Sequence, residues 1–207
     1  MTPKAFRIFF TICFAAFIMI SCKNSEIKVP GNHTEKADPS QLNMPSISMD
    51  SPESLEIALK NDSLNTDIRL KLAAQYYTNK NFDKALYHYL FINRHDNRNM
   101  AALFNLGNVY YDMQQDQLAI KYYEKFLEAD KSNSNVRCDL ATCYMNLNNI
   151  EKGISLLREN IKINFNHPQS HYNLSVMLKQ TGKKAEADAE MNIYNNLVSD
   201  QGGMSPQ

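Results

Sequence analysis

The stretch LFNLGNVYYDMQQDQLAIKYYEKFL, residues 103–127, decides how this chain folds. Its apolar residues fall into two clusters. Leu103, Leu106, Tyr110 and Met113 recur at steps of three and four and so share one stripe of a helix. Gln114, Gln115 and Asp116 break the pattern, and Leu118, Tyr122, Tyr123, Phe126 and Leu127 form a second stripe. Two amphipathic helices joined by a short polar turn make an antiparallel hairpin.

The same pattern recurs outward in both directions at a spacing of 34 residues, without insertion. Leu72, Leu106, Leu140 and Leu174 keep that step, as do Tyr76, Tyr110, Tyr144 and Leu178. A third column is Tyr89, Tyr123, Leu157 and Met191. Two further columns hold small residues: Ala73, Gly107, Ala141 and Ser175, and then Ala85, Ala119, Gly153 and Ala187. Five columns in one register make a repeat protein. A single hairpin cannot bury its own apolar face, so the units must stack. The small columns mark where two helix backbones approach closely. Glycine costs a helix about 1 kcal/mol against alanine, so Gly107 and Gly153 are held by packing, and a larger residue at 107 should overpack the hairpin.

On these residues the unit from Met100 to Asn133 resembles a tetratricopeptide repeat, with Ala119, Tyr123 and Phe126 in that family's second-helix slots. The same register gives units at 66–99, 100–133, 134–167 and from 168 onward. The resemblance implies an all-α fold, an α-solenoid of four stacked helix hairpins over residues 51–198. The chain departs from the family in two columns. The early aromatic slot holds Arg69, Leu103, Arg137 and His171, and the late proline slot holds Asn97, Lys131 and Phe165. Ahead of the first unit, Ser51 and Pro52 read as a helix cap and first helical residue. Leu55 and Ala58, 34 before Tyr89 and Ile92, then belong to an N-terminal half repeat that covers the end of the stack.

The resemblance also implies that the chain binds a peptide or extended segment along a concave face lined by first helices. In this register the expected groove residues are Tyr77, Asn105, Asn108, Asp112, Cys138, Thr142, Asn146, Tyr172, Val176 and Gln180. Amide side chains there can hydrogen-bond a ligand backbone. The carboxylate clamp of chaperone-type relatives does not carry over. From the second unit Asn108 matches one amide, but Phe104, Asp139, Gln169 and Asn173 fill the other slots. At the C-terminal end no further helix follows the fourth hairpin. Leu174, Leu178 and Met191 are therefore expected to be partly exposed, as a docking site or a contact between copies of the chain. The competing reading is that the polar run from Lys183 to Asn196 solvates that end.

The N-terminus sets the expected location. Lys4 and Arg7 precede an apolar run from Ile8 to Ile20, too short for an ordinary membrane-spanning helix of about 20 residues, and this reads as an export signal over residues 1–21. Its ending, Met19-Ile20-Ser21-Cys22, resembles the lipobox of bacterial lipoproteins. That resemblance implies lipidation of Cys22 and, with Lys23 next, an outer-membrane protein facing the periplasm. An ordinary cleaved signal peptide is the alternative. Residues 22–50, with Pro30, Gly31, Pro39 and Pro45 and no apolar period, read as a flexible tether. Residues 199–207 read as a loose tail.

Composition narrows the function further. The full chain carries 22 basic and 22 acidic residues, and losing Lys4 and Arg7 with the signal leaves 20 against 22. That is no footprint for nucleic acid. Cys138 and Cys143, five apart on one helix, point in different directions and read as small buried residues rather than a disulfide. His167 and His171 have metal-like spacing, but Pro168 takes His167 out of helical geometry and no third ligand is evident. His88 and Asp112 fall on separate helices with no supporting constellation. No phosphate loop, nucleophile elbow or paired-carboxylate motif stands out, so no catalytic residue, cofactor or metal is expected. The reading is a protein-interaction adaptor, with a structural subunit docking through its C-terminal end as the alternative.

Overall fold

The apolar stripes form the helices that their spacing requires. The computed structural model describes residues 51–202, all within one unit of the chain. Among them are nine α-helices: α1 (Pro52–Asn61), α2 (Thr66–Thr78), α3 (Phe82–His95), α4 (Met100–Asp112), α5 (Asp116–Ala129), α6 (Ser134–Asn146), α7 (Ile150–Ile163), α8 (Pro168–Gln180) and α9 (Lys184–Gly202). First helices begin at Thr66, Met100, Ser134 and Pro168, and second helices at Phe82, Asp116, Ile150 and Lys184, each 34 after the last. Ser51 caps α1 by accepting from the Ser54 amide, with Pro52 at the first turn, and Leu55 and Leu59 are buried. The export-signal and tether readings, with Cys22, lie outside the described residues.

Both ends of the first helices are fixed by a repeated device. Asn65, Asn99 and Asn133 cap α2, α4 and α6, their side chains accepting from the amides of Ile68, Ala102 and Val136. At the other end the chain turns left-handed, at Lys80, Gln114, Asn148 and Gly182. The next amide reaches back to a carbonyl inside the helix, as from Asn81 to Tyr76 and from Gln115 to Tyr110, both 2.8 Å. Only the last of the four positions is glycine, the residue that takes a positive φ without a Cβ penalty. Gln114→Gly is therefore expected to stabilise the protein by about 0.5–1 kcal/mol. A denaturant titration showing no upward shift of the midpoint would contradict this.

The small columns are buried as the spacing requires: Ala73, Ala85, Ala119 and Ala141 are 0% exposed. A Cβ at Gly107 would sit 2.3 Å from Cε1 of Tyr123, and one at Gly153 would sit 2.9 Å from the Ala141 carbonyl oxygen. The buried side chains form two clusters. One runs from Leu55 through Tyr89, Leu106 and Tyr123 to Leu140, and the other holds Ala141, Leu157, Leu174, Met177 and Leu178.

The departures from the repeat pattern explain one another. Where the early aromatic slot is polar, its side chain donates to the carbonyl six residues back, in the late proline column. Arg69 donates to Ser63, Arg137 to Lys131 and His171 to Phe165, at 2.5, 2.5 and 2.8 Å. The three residues are 6%, 4% and 0% exposed, so each bond satisfies a polar group that packing has buried. Arg69 also lies 3.5 Å over the Phe91 ring.

Two expectations at the C-terminal end need correcting. Leu174 and Leu178 are not partly exposed; each is 1% exposed, because α9 packs across them, and only Met191 remains half-buried. The helix also continues past Ser199 to Gly202, so the stretch read as a tail begins as helix. The remainder of that stretch lies outside the described residues.

Candidate functional site

First helices lie on the inner side of the curve: α2 packs against α4 and α6 against α8, while no comparable contact joins two second helices. The side chains of this inner face are tied across units. The Tyr77 hydroxyl on α2 donates to Asp112 Oδ2 on α4 at 2.6 Å. Asn108 accepts from the buried Tyr123 hydroxyl at 2.7 Å, which leaves its amide donors without a partner among the described residues. Asn105 donates to the Ala101 carbonyl at 2.8 Å on its own helix. Thr142 donates to the Cys138 carbonyl at 3.0 Å and accepts from Asn173 at 3.5 Å. Asn146 donates to Asp116 at 2.9 Å. Tyr172 is 40% exposed beside Tyr194, Val176 is half-buried, and Gln180 is exposed.

Cys138 does not line this groove, contrary to the sequence expectation. It is 2% exposed, because Asn160 of α7 and Ser170 of α8 close over it. Its sulfur lies 3.3 Å from Ser170 Oγ, 3.5 Å from Asn160 Nδ2 and 3.8 Å from His167 Nδ1. His167 Nδ1 is also 2.8 Å from Ser170 Oγ, and Asn160 donates to that oxygen and to the Ser134 carbonyl, each at 2.8 Å. The residue types are those of a nucleophile and base, but the environment is wrong for chemistry. Burial pushes the Cys138 thiol up to about 11, away from the thiolate, and Ser170 is 0% exposed. The cluster joins α6, α7 and α8. His167 occupies the cap position of α8 in extended geometry, with Nε2 2.8 Å from Asn135 Oδ1, while His171 Nδ1 lies 2.6 Å from Glu190. The two rings serve separate contacts.

The structure adds Asp139, Tyr111 and Asp116 to the inner face. Asp139 shares its column with Asn105 and Asn173, 34 residues away on either side, and the repeat spacing could have found it. Its carboxyl is half-buried with no hydrogen bond among the described residues, and burial raises it from 3.8 to about 6. Such a group favours the folded state when protonated. Its contribution is present below about pH 4 and is lost as pH rises through 6. Asp139→Asn is therefore expected to leave stability near pH 4 unchanged and to raise it at pH 7, on the order of 1–2 kcal/mol after allowing for partial solvation. Denaturant titrations of both proteins at the two pH values check this; a variant less stable at pH 7 contradicts it.

Residues 112–191 match the family described as anaphase-promoting complex, cyclosome, subunit 3. No curated protein matches the chain. Among solved structures, the chain is similar to MamA residues 41 to end from Desulfovibrio magneticus RS-1, at 14% identity and a TM-score of 0.69, covering 74% of this chain and 86% of that one. The structures titled MamA MSR-1 C2 and MamA AMB-1 P212121 are similar at 22% and 23% identity, with TM-scores of 0.64 and 0.63. They cover 72% and 74% of this chain and 86% and 82% of their own. The class is an α-solenoid of helix hairpins. Within it, the 34-residue register resembles that of tetratricopeptide repeats, and the family match covers residues 112–191.

Proposed function

We propose that the chain is a non-catalytic adaptor, anchored in a bacterial envelope through a lipid on Cys22, that holds a segment of a partner protein along its inner face. The observation that carries the reading is the inner face itself, where Asn108 keeps free donors between residues bridged to one another on adjacent units. The matched family is by its name a subunit of a larger complex, which supports a scaffold role. The basic start, the apolar run and Ser21-Cys22 support the anchor and an outer-membrane, periplasm-facing location.

Photo-crosslinking in the native host from Asn108 and Thr142, with exposed Lys121 on α5 as control, tests the groove. A discrete partner from the two inner positions alone is expected; adducts from Lys121 alone would overturn the reading. Cys22→Ala is expected to move the protein out of the membrane fraction, and full retention there would remove the anchor. A second reading is a structural subunit docking through its C-terminal end. It is favoured by α9, where Ile193, Tyr194 and Leu197 are half-buried and Val198 is 44% exposed.

A further inference from the structure

The charges of the inner face are unevenly placed. Its lysines, Lys71 on α2 and Lys179 on α8, sit on the outer units, while the middle carries Asp112, Asp116 and Asp139. Asp112 accepts from a tyrosine hydroxyl and Asp116 from an asparagine amide, and Asp139 has no hydrogen bond. Among the described residues none of the three has a cation within ion-pair distance; the ion pairs present all use glutamates. All three carboxylates border Tyr111: after burial and Cys143, each raises its hydroxyl, and after burial Asp112 and Asp139 both raise that of Tyr77, whereas Asp139 itself is raised by burial alone. Tyr111 is 37% exposed, so an aromatic face borders the acids.

An independent feature lies one unit earlier. Tyr89 is 0% exposed and its hydroxyl has no hydrogen-bond partner. By register its counterpart is Tyr123, whose hydroxyl bonds Asn108 on the inner face, and the residue in the Asn108 column is Ala74. By that register the Tyr89 hydroxyl corresponds to one aimed at the same face, and it has no hydrogen-bond partner among the described residues. A half-buried carboxylate without a cation and a buried hydroxyl without a partner both burden the folded state, and such departures gather at binding surfaces.

We propose that the inner face takes a basic segment of a partner protein, with a lysine or arginine side chain seated against Asp139 and flanked by Asp112 and the exposed ring of Tyr111. The occupant follows from charge complementarity: a cation there neutralises carboxylates that no cation among the described residues pairs, and the tyrosine ring adds a cation–π contact. This rests on the groove reading above and narrows it to one chemical class.

The test uses the full chain and two fluorescein-labelled extended peptides, one of four Gly-Ser-Lys repeats and one of four Gly-Ser-Glu repeats, with binding read by fluorescence anisotropy. The lysine peptide is expected to bind wild type, to weaken with salt, and to lose about tenfold in affinity for Asp139→Asn. Asp112→Asn is expected to lose affinity too, and Asp188→Asn on the exposed part of α9 to keep it. Circular dichroism confirms that each variant folds. No binding of the lysine peptide, equal binding of the glutamate peptide, or unchanged affinity in Asp139→Asn overturns the proposal. If a host partner crosslinks to Asn108 and Thr142 while the lysine peptide fails, only the cationic occupant falls. If the lysine peptide crosslinks to Lys121 instead, the groove reading falls with it.

Discussion

Gly107→Leu is expected to destabilise the protein by about 3 kcal/mol or more, the upper end of overpacking penalties. The reason is visible before the side chain extends at all. A Cβ alone at this position would lie 2.3, 2.5 and 2.9 Å from Cε1, Cδ1 and Cζ of Tyr123. That ring cannot swing aside, since it is 1% exposed and its hydroxyl is held by Asn108 at 2.7 Å. The gain of leucine over glycine in a helix, somewhat under about 1 kcal/mol, offsets only part of the clash. At roughly 2–4 °C per kcal/mol for a chain of this size, the melting temperature should fall by several degrees or more. The mechanism has its own control. Gly107→Ala should destabilise the wild-type protein but become neutral or stabilising when Tyr123 is replaced by valine. With the ring gone, only the helix-propensity gain remains. An unchanged melting temperature in Gly107→Leu, or no reversal in the double variant, would remove the close approach of α4 and α5 as the explanation.

Leu157→Ala should cost about 2–5 kcal/mol, as expected for a buried leucine in a site that cannot collapse. Leu157 is 0% exposed and packs in the second cluster with Leu174, Met177 and Leu178. Its position in a linear stack gives the loss a direction. Each unit contacts only its neighbours, so stability is close to a sum of local terms. Hydrogen exchange should therefore lose protection first in α7, α8 and α9, while α2 to α5 keep most of theirs. Uniform loss across all units would mean that the two clusters act as one core.

How far the sequence could be read depends on which physical signal each feature leaves. The apolar stripes and the small columns leave a period, because every unit must present the same surface to the next. That period placed the hairpins, the half repeat at α1 and the tight sites at Gly107 and Gly153. The asparagine caps at Asn65, Asn99 and Asn133 keep the same 34-residue step but leave no mark on the apolar recurrence, because they form a polar column. The left-handed turns at Lys80 and Gln114 left no residue-type signal, since neither is the glycine or asparagine such a turn prefers.

The groove was legible as a set of columns but not as a set of surfaces. Cys138 falls in a groove-facing column and is buried, because Asn160 of α7 and Ser170 of α8 close over it. Asp139 falls in the column of Asn105, yet its burial without a partner appears only once α4, α5 and α6 are packed. Likewise Leu174 and Leu178 stand at the end of the repeat in sequence, but α9 covers them. By itself, then, the sequence determined the repeat, the start of each hairpin and the close approaches, because these depend on residues within one hairpin or in adjacent units at fixed spacing. Only the tertiary structure decided which polar groups are satisfied and which are left facing the groove. Hydrogen bonds and desolvation depend on which atoms meet across helices, and a periodic pattern does not record that.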